Sequence, residues 1–129
     1  MGQLLGNDAL NIFGSLLMKR VRDWSIQECG ALVDGKMTGE VAQRLSAEIV
    51  QLDDVHRTAV HRLIPYIVDT VLHYMLWMFE QEQSLQVMVH DTNGVPVDLR
   101  AVELGDLEGY LIDWVAQFSQ ESPSDLSAS

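Results

Sequence analysis

The sequence predicts an α+β fold that is mainly α. Four to five helices pack around a long apolar helix at about 63–79, and one β-hairpin at about 85–99 precedes the C-terminal helix. Three observations predict it. Apolar residues recur every three or four positions along much of the chain, as one face of a helix requires. The stretch 63–79 is apolar almost all round, which places a helix at the centre of a bundle or at a subunit interface. Alternating segments on either side of Asp91-Thr92-Asn93-Gly94 read as two strands joined by a turn. With 129 residues, 47% hydrophobic and 21% charged, the chain fits one globular domain over 1–121 with a loose polar tail over 122–129. Such a composition excludes wholesale disorder and a coiled-coil rod.

Asn7 or Asp8 is the expected cap of a first helix reaching about Trp24. Its stripe is Leu10, Phe13, Leu17, Val21 and Trp24, widened by Ile12 and Leu16, with Asn11, Ser15, Lys19 and Arg22 opposite. Lys19, Arg20 and Arg22 fall in its last turns, where cations complement the helix dipole. Ser25-Ile26-Gln27-Glu28 matches a capping box and predicts a second, short helix that stops near Gly35. Thr38 is the expected cap of a third helix, with Val41, Leu45, Ile49 and Leu52 on one face. Asp53 and Asp54 open a fourth, where carboxylates serve as caps and meet the positive end of the dipole. That helix extends to about Gln81, with Pro65 kinking it or starting a second segment.

The strands are expected at Leu85–His90 and Val95–Leu99. A two-residue loop at Asn93-Gly94 would set Val89 against Asp98 and Val87 against Arg100, so the apolar faces would conflict. A three-residue loop, Thr92-Asn93-Gly94, pairs Val89 with Val97 and Val87 with Leu99 and gives one apolar face, with Gly94 in the left-handed conformation. His90, Met88, Gln86, Asp98 and Arg100 then lie on the outer face. Asp106 is the expected cap of a last helix to about Gln120, burying Leu107, Tyr110, Leu111, Trp114, Val115 and Phe118.

Function is constrained chiefly by charge. Eight Lys and Arg against 19 Asp and Glu give a net charge of −11, which disfavours nucleic acid, a ligand that needs a basic face. Cys29 is the single cysteine, so internal disulfides and cysteine-based zinc cages are excluded; it is expected as a small core residue. The start of the chain lacks a signal-peptide pattern, and Asp69 and His73 interrupt the one candidate membrane segment, so a soluble cytoplasmic protein is expected. No phosphate loop, dinucleotide fingerprint or other cofactor motif occurs. The catalytic reading uses a strip on the fourth helix, with Tyr66 as acid, Asp69 as orienting carboxylate and His73 as base. Asp69 and His73 also have the spacing of half a metal site, but no further ligand is indicated.

The acidic excess is uneven. Residues 1–62 carry 7 basic and 8 acidic groups, whereas residues 63–129 carry one basic group, Arg100, and 11 acidic ones. Such clustering suits a surface that steers towards a basic protein partner. Asp98, Glu103, Asp106, Glu108 and Asp113 are the expected partner-binding carboxylates. In size and charge the chain resembles the immunity proteins that neutralise bacterial toxins. That resemblance implies a one-to-one inhibitory complex, without catalysis, in which carboxylates meet a basic toxin surface. Homodimerisation through the 63–79 helix is the other association the sequence suggests.

Overall fold

The structure is a computed structural model that describes residues 2–102 and 107–123, with side chains described for 8–102 and 107–123. Its first element is longer than expected. Helix α1 (Gly2–Leu17) passes through a π-helical turn (Met18–Arg22) directly into α2 (Asp23–Val33). Neither the expected cap at Asp8 nor the break at Ser25 forms. Asp8 lies inside α1, and its carboxylate accepts hydrogen bonds from the backbone and hydroxyl of Thr92 in the hairpin loop.

The π turn also corrects the buried face. Its closing bond runs from the Asp23 amide to the Met18 carbonyl, one residue wider than an α-helical bond. The extra residue puts Arg22 on the core side, where an unbroken helix would put Val21. Met18, Arg22 and Asp23 are consequently buried, while Val21 and Trp24 are 42% and 61% exposed. Leu10 and Leu17 precede the turn and are buried as expected. Between them Gly14 leaves room for Trp114, since a Cβ there would lie 2.5 Å from its indole ring.

Helix α2 ends on Gly35, whose φ of 73° is the left-handed conformation that favours glycine. The Lys36 and Gly35 amides close the helix end on the carbonyls of Ala31 and Leu32. Cys29 is exposed on α2, not buried. Helix α3 (Glu40–Ile49) follows extended Gly39 rather than a Thr38 cap. It leans on α2 and buries Ala42, while Val41, Leu45 and Leu52 of its apolar row remain exposed.

Helix α4 (Asp54–Gln81) has the expected limits and carries Pro65 within it. Asp53 caps it by accepting from the His56 amide at 2.9 Å, and this bond with the adjacent His56 ring holds the Asp53 carboxyl below its ordinary pKa. One side of α4 supplies Ile64, Leu72 and Leu76 to the core, with Val68, Met75 and Phe79 packed beside them. The opposite side is open. Helix α4 is therefore a wall of the bundle, not an encircled centre.

The hairpin pairs β1 (Met88–His90) with β2 (Pro96–Asp98) in the three-residue-loop register, Val89 opposite Val97. The Leu99 amide continues the ladder to the Val87 carbonyl, and Gly94 has a φ of 78°. Buried Asp91 holds the loop by accepting from the amides of Asn93 and Val95. Helix α5 (Leu99–Val102) follows β2 at once, then, beyond the undescribed stretch, a 3-10 turn (Leu107–Tyr110) and α6 (Leu111–Phe118). Trp114 is the centre of the core, edge-on to Phe13 at 5.7 Å and stacked on Tyr110 at 5.6 Å. The expected cap Asp106 lies outside the described residues. Leu107, Leu111, Trp114 and Val115 are buried as predicted.

Candidate functional site

A buried polar clasp lies where the π turn meets the middle of α4. The fully buried Arg22 guanidinium donates to both oxygens of Asp69, from Nε at 2.7 Å and Nη2 at 3.1 Å. It also donates to the Ser119 hydroxyl at 2.8 Å and to the carbonyls of Glu121 and Ser122 at 3.0 and 2.9 Å. Ser119 in turn donates to buried Asp23, which accepts a second bond from the Gln120 amide. A guanidinium withdrawn from water needs its donors matched, and five bonds to a carboxylate, a hydroxyl and two carbonyls do so. The segment after α6 is therefore bonded as far as Ser122.

The clasp decides where the catalytic strip lands. Asp69 meets Arg22 rather than His73, and its side chain is 17% exposed. His73 is exposed and packs edge-on to Tyr74, with ring centroids 5.2 Å apart. Tyr66 is 43% exposed, and its backbone carbonyl accepts the Thr70 hydroxyl. The three share a helix edge without forming an acid, carboxylate and base chain. Sequence reasoning missed Arg22 because regular α-helical spacing puts it on the solvent side.

Of the expected partner-binding carboxylates, Asp113 is exposed on α6 and Glu108 is half-buried. Asp98 caps α5 by accepting from the Arg100 amide at 3.0 Å, and also accepts from Gln86. Glu103 and Asp106 lie outside the described residues. Arg100, the one cation after residue 62, turns inward. Its Nη2 donates to the carbonyls of Phe79, Glu82 and Leu85, which ties the end of α4 to the hairpin. Glu82 itself accepts from the Ser84 amide and hydroxyl, which lowers its pKa.

An open groove of about 590 Å³ runs between α2, the first half of α4 and residues 121–123, with Gly30, Thr58, Ile64 and Pro65 on its walls. His61 and Asp34 meet across it at 3.0 Å. Among the described residues no cluster of three His, Cys, Asp or Glu is placed to hold a metal ion. No helix there is long and apolar enough to cross a membrane.

The largest chemical anomaly is the outer side of α4. Leu63, Tyr66, Ile67, Val71, Tyr74, Trp77 and Met78 are each between 43% and 63% exposed. Steps of three and four residues keep them on one continuous face, and Thr70 is its central polar member. No charged side chain interrupts it. The apolar wealth of this helix is visible in the sequence, but which half of it faces water is set by the packing of α2, the π turn and the 3-10 turn. Comparison with known proteins finds no matching family model, no matching curated protein and no matching solved structure.

Proposed function

We propose that this protein works by docking another polypeptide on the outer face of α4, without catalysis. One observation carries the reading: seven large apolar side chains stand open to water on a single face free of charge. Soluble monomers rarely expose contiguous apolar patches beyond a few hundred Å², and larger ones mark sites of association. Tyr, Trp and Met, three of the residue types on this face, are enriched in the buried centres of protein interfaces. The engagement of Asp69 by Arg22 weighs against the rival use of Tyr66, Asp69 and His73 in turnover.

A photo-crosslinking residue in place of Tyr74, in cells making the protein at natural levels, tests this. Discrete adducts are expected there and not from the same group at exposed Glu48. Absence of adducts at Tyr74, or equal labelling at both positions, overturns the reading.

A second reading keeps the inhibitor of a basic partner, a toxin of the kind immunity proteins neutralise. It is supported by the inward turn of Arg100, which leaves the 11 carboxylates of residues 63–129 without an outward cation from their own half. Asp113 and Asp106 are its first residues to test, since Asp98 already caps α5. Their joint change to Lys is expected to slow association with a basic partner about tenfold and flatten its salt dependence. An unchanged association rate would remove this reading.

A further inference from the structure

We infer that the occupant of the outer α4 face is a second copy of the same helix, laid antiparallel about a two-fold axis between Thr70 and Val71. This rests on the reading that the face docks a polypeptide, and names which one.

Area is the first argument. Seven side chains with about half their surface exposed present on the order of 700 Å² to solvent, close to the roughly 800 Å² that each partner contributes to a stable interface of standard size. Composition is the second. Interfaces between identical subunits are more apolar than those between proteins that meet and part, and this face carries no charge at all. A basic partner would find nothing on it to pair with.

Spacing supplies the orientation. Leu63, Ile67, Thr70, Tyr74 and Trp77 follow steps of four, three, four and three, the seam of a helix pair. An antiparallel two-fold between residues 70 and 71 sets Leu63 against Met78, Ile67 against Tyr74 and Thr70 beside Val71, so each exposed group meets an apolar or neutral one. Charge at the rim agrees. Arg62 and Glu80 lie about five helical turns apart on the same edge of the face. Antiparallel pairing brings Arg62 of one copy near Glu80 of the other, whereas parallel pairing would leave the two about five turns apart on opposite edges. Two copies each of net charge −11 repel at long range, and salt screens that repulsion over about 8 Å while leaving apolar burial intact. Salt therefore tightens this dimer, the reverse of its effect on a complex with a basic protein.

The test is sedimentation of the purified full chain at micromolar to tens of micromolar concentration, in low and in physiological salt. A species of twice 14.5 kDa is expected, with a larger dimer fraction at the higher salt. Ile67→Lys and Tyr74→Glu should each dissociate it at least tenfold, and their combination should restore it, because each Lys then faces a Glu. Far-UV circular dichroism checks that the variants remain helical. Cysteine pairing gives an independent readout in a Cys29→Ser background. Val71→Cys should oxidise to a covalent dimer across the axis, whereas Leu63→Cys should not. A monomer at every concentration overturns the proposal, as does cross-linking at both cysteine positions, which would mean a parallel pair. If the chain sediments as a monomer while Tyr74 still captures a different protein in cells, self-pairing fails and the docking reading stands. Without dimer and without adducts, both fail.

Discussion

Arg22 links parts of the chain that are far apart in sequence. Its guanidinium joins the π turn to α4 through Asp69, and to the segment after α6 through Ser119, Glu121 and Ser122. Replacing it by Met keeps the volume of the stem but leaves the largely buried Asp69 carboxylate without its cation, and the Ser119 hydroxyl and Glu121 carbonyl without their donor. Loss of one partner of a buried pair typically costs about 3 kcal/mol or more. Arg22→Met is expected to lower stability by about 3 kcal/mol, measured as an earlier urea midpoint with an unchanged slope. Adding Asp69→Leu should return part of the loss, because the stranded charge goes with it. None of this was legible in the sequence. An arginine among Lys19 and Arg20 at a helix end reads as a solvated cation, and its carboxylate partner is 47 positions away.

At the level of elements, legibility followed the strength of local chemistry. The hairpin register was legible because alternation leaves one pairing that keeps Val87, Val89, Val97 and Leu99 together, and a slip by one residue reverses them all. The limits of α4 were legible because Asp53 caps it in the ordinary way. The continuous rod of α1, the π turn and α2 was not. A widened turn has no propensity of its own, and it arises where tertiary contacts on both sides demand a different helix phase. Deleting exposed Lys19 should remove the bulge yet leave Arg22 facing Asp69, with helix content kept and stability within about 1 kcal/mol of the parent. Inserting an alanine after Arg20 should turn Arg22 a further ~100° away and abolish cooperative unfolding. Both outcomes are read by circular dichroism during thermal melting. The outer face of α4 was half legible. Its all-round apolar pattern announced either a centre or an interface, and the packed molecule leaves that side open to water.

Across the whole molecule, the carboxylate excess avoids the outer face of α4. The carboxylate excess belongs to residues 63–129, while the outer α4 face carries none of it. Arg100 turns its Nη2 onto backbone carbonyls and relieves little of the repulsion between the surface carboxylates around it. Self-repulsion of this kind weakens the compact state and is screened by salt. The thermal midpoint of the variant Ile67→Lys, at a concentration where it sediments as a monomer, should rise by about 3 °C between low and physiological sodium chloride, on the order of 1 kcal/mol, as read by calorimetry. The Arg22–Asp69 bridge resists that screening because the guanidinium is buried. The reach of that same guanidinium bears on synthesis as well. A growing polypeptide still short of residue 122 holds a cation in its interior with some of its acceptors not yet made. Final locking of the first helix thus waits on the ribosome, and stalled nascent chains should be cleaved by proteases near Arg22 more readily than the released product.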